Sequence, residues 1–137
     1  MTTHRETPDQ RRAKFAWERV SQRAMGFPTG FSKYANLAKG APALILSNGL
    51  MQALAYIQTR KEQEKVALAE DLCLRLKEAL GLTSSEFAYV MGALQSMEAA
   101  EYMRATDEAM QALRWIRQFV SVFKTELEGS SSNRQGG

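Results

Sequence analysis

Gly40 to Thr59 reads GAPALILSNGLMQALAYIQT, twenty consecutive residues without a charge. Pro42 suits the first turn of a helix, where its missing N–H costs nothing. Leu44, Ile45, Leu46, Leu50, Met51, Leu54, Tyr56 and Ile57 then surround the axis. Apolar side chains all round mark a helix buried on all sides, so the run is expected to be the central helix of the fold. Roughly 20 apolar residues would also cross a membrane, but Ser47, Asn48 and Gly49 interrupt the run, and Gln52 and Gln58 follow. Asn48-Gly49 signals a hairpin only between alternating strands; its neighbours here are leucine, alanine, methionine and glutamine, which favour helix. Gly49 is therefore read as a point of close helix packing, compensating the about 1 kcal/mol that a mid-helix glycine costs against alanine. The alternative is a kink or an interruption there.

Downstream, Val66, Ala69, Leu72, Cys73, Leu76, Ala79 and Leu80 predict an amphipathic helix over about 61–80, closed by Gly81 as a left-handed cap. Its other residues, Glu64, Lys65, Glu70, Asp71, Arg75, Lys77 and Glu78 among them, mix both signs and read as a solvated face. Thr83-Ser84-Ser85-Glu86 spells a capping box before a helix that turns Phe87, Val90, Met91, Leu94 and Met97 inward. A last helix begins between Glu98 and Thr106 and reaches about Leu127. Its stripe of Leu113, Ile116, Val120 and Phe123 is widened by Trp115, Phe119 and Val122 beyond what one neighbour covers, which implies deep burial or a partner.

Upstream, Thr7-Pro8-Asp9-Gln10 spells a helix start, with Ala13, Ala16, Trp17, Val20 and Ala24 as the buried stripe. A loop at Gly26–Gly30 and a short helix over about 32–38 lead to Lys39-Gly40. The expected fold is all-α: a single compact bundle of five or six helices around the central apolar one. It spans residues 1–128 with 1–8 frayed, and 129–137 form a disordered polar tail.

A chain of 137 residues is of single-domain size and buries roughly two-thirds of its unfolded surface. The single cysteine, Cys73, falls on the buried stripe, which points to a core role and a reducing cytoplasm. The first fourteen residues carry no apolar stretch of the signal-peptide kind. His4 is the only histidine, so neither a metal cluster nor a nucleophile–base pair is expected around it. No glycine-rich phosphate loop occurs either. No cofactor, no metal site and no enzymatic activity are expected.

The net charge of +3 conceals an asymmetry: residues 1–39 carry +5 and residues 40–137 carry −2. The basic end points to a polyanion. Arg11, Arg12, Lys14 and Arg19 surround Phe15, which lies opposite the buried stripe; guanidinium groups beside an exposed ring suit single-stranded nucleic acid. The alternative is that Phe15 packs under another helix. Lys33 and Lys39 bracket Tyr34, and Arg114, Arg117 and Lys124 share an acid-free face of the last helix with Ser121 and Thr125. The candidate RNA-binding residues are thus Arg11, Arg12, Lys14, Arg19, Lys33, Lys39, Arg114 and Arg117. A helical protein–protein adaptor whose basic residues merely solvate it is the rival reading. A sequence-specific DNA binder would need a recognition helix, and none stands out.

Tyr34, Lys39, Pro42, Leu44-Ile45, Asn48-Gly49-Leu50, Gln52 and Leu54-Ala55-Tyr56 resemble the hallmark segment of the small-subunit family of type III-B CRISPR effector (Cmr) complexes. Tyr102 to Thr106, Glu108-Ala109, Leu113, Trp115 and Arg117 to Phe119 resemble the family's second shared segment, and Arg11 to Ala16 its entry. The likeness runs from about Gln10 to Phe123, departing at Gln118, where a second basic residue is expected. It implies a small helical subunit without catalytic activity, stacked in several copies along a ribonucleoprotein filament. Its implied partners are the backbone and large subunits, further copies of itself, guide RNA and target RNA, with no membrane and no small-molecule substrate.

Overall fold

The computed structural model describes residues 5–59 and 62–135, with side chains as far as residue 125. Among these the chain is all-α, with six helices and no strand: α1 Pro8–Gly26, α2 Phe31–Asn48, α3 Leu50–Thr59, α4 Gln63–Leu80, α5 Phe87–Ser96 and α6 Ala99–Gln135. His4, Arg60, Lys61 and half of the expected frayed segment 1–8 lie outside the described residues, as do the side chains of the expected tail 129–137, into which α6 runs.

Thr7 opens α1 as its spelling predicts. Its hydroxyl accepts the Gln10 N–H at 3.0 Å, and the Gln10 side chain accepts the Thr7 N–H at 2.8 Å, a reciprocal box that satisfies two otherwise orphaned donors. Gly81 closes α4 at φ 68°, as expected of a left-handed glycine cap. The box expected before α5 does not form: Glu86 is itself the N-cap, and Ser84 Oγ accepts the Glu86 N–H at 3.0 Å instead. The last helix starts at Ala99 and forms the spine of the bundle, packing along α1, α2 and α4. Tyr102 meets the start of α3 while Lys39 lies beside Arg117 and Ser121, so α2 and α6 run antiparallel.

The run 40–59 is not one helix. Pro42, expected in a first turn, sits deep inside α2, which begins at Phe31. An interior proline costs about 3 kcal/mol, and α2 nevertheless continues through it. Phe31, Tyr34, Ala35, Ala38, Ala41 and Ile45 form one buried stripe spanning both sides of the proline, so tertiary burial outweighs the local penalty. The break comes at Gly49, whose φ of 85° and ψ of 162° belong to a region essentially reserved for glycine. Its N–H closes α2 on Ile45 O at 2.7 Å, and its carbonyl opens α3 by accepting the Ala53 N–H at 3.0 Å. A Cβ at Gly49 would meet the Tyr102 hydroxyl at an ordinary 3.8 Å. The glycine is therefore required by backbone conformation and not by close packing. Burial on all sides also fails, since Leu46 is 77% and Tyr56 47% exposed; α2 and α3 each turn one face to the bundle.

Candidate nucleic-acid interface

Phe15 is buried, not exposed among arginines. It packs beneath Arg75 of α4, whose guanidinium lies 5.5 Å from its ring centroid. Helix α1 is covered by α4 as well as by α6, so its buried face is wider than one stripe, and Trp17 at its margin is 47% exposed. Asp71 and Arg75, read as part of a solvated face, are likewise buried.

Asp71 explains much of the basic charge on α1. Arg19 Nε donates to its carboxylate at 2.6 Å, and Arg23 donates through Nη2 at 2.8 Å and Nε at 3.2 Å. The Tyr34 hydroxyl donates to the same carboxylate at 2.7 Å. Burial, with Asp71 adding to it, holds the Tyr34 phenol well above its ordinary range, so it remains a donor. A second network joins Arg12 to Glu108 at 2.8 Å and Arg75 to Glu108 at 3.5 Å. The Arg12 hydrogen bond holds the Glu108 carboxyl below its ordinary value against the opposing effect of burial. Arg12 and Arg19 thus spend their charge inside the molecule.

The other candidates divide. Arg11, Arg12 and Lys14 line a cleft with Arg75 and Arg104, but Glu6, Glu18, Glu78 and Glu108 line it too, so its field is mixed. Lys33 is exposed at the start of α2 and lines neither cleft. Lys39, Arg114 and Arg117 do come together. With Gln118 and Ser121 they line a cleft between α2 and α6 of about 360 Å³, without an acidic side chain among its described lining residues. All three cations are exposed, and Lys39 and Arg114 lie 75 positions apart in the chain, so only the antiparallel pairing of α2 with α6 juxtaposes them. Ser121 lay on the predicted acid-free face; Gln118 was legible only as a departure from a pattern.

Among the described residues, no group of histidine, cysteine, aspartate and glutamate could hold a metal ion, and no helix is long and apolar enough to cross a membrane. Cys73 is buried, and burial pushes its thiol up to about 11, with Glu70 adding to the shift.

The sequence and the fold have relatives among known proteins. A family model described as CRISPR-associated protein (Cas_Cmr5) matches residues 8–123. The CRISPR system Cmr subunit Cmr5 of Thermus thermophilus is 30% identical over 114 residues, which cover 83% of this chain and 93% of that protein. The X-ray crystal structure of a CRISPR-associated Cmr5 family protein from Thermus thermophilus superimposes with a TM-score of 0.72 at 29% identity, over 87% of this chain and 98% of that one. A match through five whole helices and most of the sixth, in sequence and in fold, leads to one conclusion: the chain belongs to the Cmr5 family, the small subunits of CRISPR Cmr complexes.

Proposed function

We propose that this chain is the non-catalytic small subunit of a cytoplasmic, RNA-guided type III-B CRISPR (Cmr) RNA-cleaving effector complex. Several copies stack along the filament and steady the guide RNA–target RNA duplex through basic surface side chains, beside the backbone and large subunits. The observation that carries the reading is the acid-free cleft of Lys39, Arg114 and Arg117 in a chain of this family. Three exposed cations with no carboxylate among the cleft's described lining residues attract phosphates by releasing counterions, a contact that positions RNA without reading its sequence. Arg11 and Lys33 are also exposed and add attraction at longer range, whereas Arg12, Lys14 and Arg19 contribute less because their charges are paired.

The test is the assembled complex carrying Lys39→Glu, Arg114→Glu and Arg117→Glu together. Target RNA binding is expected to weaken by about tenfold or more and its salt dependence to flatten, with the melting temperature of the subunit little changed. Unaltered binding and cleavage of target RNA would contradict the reading and favour a helical protein–protein adaptor with no nucleic-acid role.

A further inference from the structure

Beside the basic cleft, and sharing Arg114 and Gln118 with it, runs a groove of about 540 Å³ lined also by Asp9, Trp115, Phe119 and Val122. Its size is that of a small-ligand site, roughly 300–1,000 Å³. Its main wall is an aromatic stack held in place from several sides. Trp115 and Phe119 stack at 30° to one another with ring centroids 5.7 Å apart, and Trp17 packs edge-on to Phe119 at 5.2 Å. The Trp115 indole N–H donates to Asp9 Oδ1 at 3.2 Å. An indole pinned by a ring and by its own N–H has little rotamer freedom left to lose when a ligand stacks on it.

We propose that this groove takes one unpaired base of an RNA strand whose phosphates run through the Lys39–Arg114–Arg117 cleft. The inference rests on the RNA-binding reading above and adds the place and chemistry of a stacking contact. The occupant has to satisfy two adjoining surfaces, anionic over the cations and flat and apolar against the rings. A nucleotide joins those two characters within one residue. Gln118 stands where the two surfaces meet, and its amide both donates and accepts, which suits the edge of any base. Stacking of this kind tolerates every sequence because every base has a π-face.

The full chain with Trp17→Phe retains Trp115 as its sole tryptophan, and titration with a twelve-residue oligo(A) RNA at low salt is expected to change its emission. By anisotropy of the labelled RNA, the wild-type protein is expected to bind the same oligomer with abasic riboses about 5- to 150-fold more weakly, the range for losing one stacked base. Trp115→Ala should lose affinity for oligo(A) by a similar factor with the salt slope unchanged, and Trp115→Phe should restore most of it. Arg114→Ala with Arg117→Ala should instead lower that slope by about 1.4, since each single-strand phosphate contact contributes roughly 0.7. Equal affinity for oligo(A) and the abasic oligomer would overturn the stacking site and leave the RNA-binding reading standing. Absence of salt-dependent binding to either RNA would overturn both. A Trp115 signal that grows with protein concentration alone would assign the groove to a second copy and overturn the inference.

Discussion

Asp71 has no solvent exposure, and four donated hydrogen bonds from Arg19, Arg23 and Tyr34 converge on its carboxylate. Asp71→Ala would leave the Tyr34 phenol and the Arg19 Nε without their acceptor and Arg23 with only Glu70 and the Ala67 carbonyl, and breaking a buried pair from one side costs about 3–5 kcal/mol. Thermal melts are expected to show a fall of roughly 10 °C or more; a change of a few degrees would contradict the network's role. Glu108 yields a pH dependence. Its folded pKa lies below the ordinary 4.5, so its contribution is present above that value and is lost as pH falls through the folded pKa. Wild-type stability is therefore expected to drop below about pH 5 more steeply than that of Glu108→Gln. The variant should be less stable at neutral pH by about 1.5–3 kcal/mol, the worth of a hydrogen bond to a charged group. Parallel denaturant–pH curves for the two proteins would contradict this. Neither network was legible in the sequence. Periodicity assigns charged residues to the outside, and Asp71 meets partners 37 to 52 positions away, which no local pattern encodes.

At the scale of the element, the instructive position is Gly49. The absence of charge from 40 to 59 was legible and does contribute Ala41, Ile45, Leu50, Ala53, Leu54 and Ile57 to the core. What one helical period could not show is that Asn48-Gly49 breaks the run and that Pro42 does not. Proline was overruled by burial on both sides of it, while Gly49 is fixed by its own φ and ψ. The two accounts of the glycine separate experimentally. If backbone conformation is the constraint, Gly49→Ala alone should cost on the order of 1–3 kcal/mol, and Gly49→Leu little more, because the Cβ site is roomy. A neutral alanine with a costly leucine would restore the close-packing account. The caps were read with mixed success for an equally local reason. Thr7 and Gly81 sit where the chain direction demands a cap, whereas α5 starts after Glu86 and leaves Thr83 outside the helix.

For the whole molecule, the all-α class, the approximate spans of α1, α4 and α5, the start of α6 and family membership were legible in the sequence, whereas the division of 31–59 into α2 and α3 was not, and the candidate site was legible only as separate pieces. The acid-free face of α6 was recognisable from the spacing of Arg114 and Arg117. The +5 of the first 39 residues overstated the available positive surface, because Arg12, Arg19 and Arg23 are consumed by Glu108 and Asp71. Charge reversal at Arg19 would consequently report on stability, and Lys39 is the informative partner for Arg114. The wide apolar arc of α6 is partly closed by Trp17, which packs on Phe119 and Phe123, leaving Val122 45% exposed. So small a residual patch, open to a ligand in the groove, offers too little area for stable self-association, and the free chain is expected to sediment as a monomer. The central claim is tested most directly by native mass spectrometry of whatever co-purifies with this chain from its host. Membership of an RNA-guided Cmr assembly predicts a particle containing guide RNA, CRISPR backbone subunits and several copies of this chain; recovery of the chain with an unrelated protein alone, and no RNA, would contradict it.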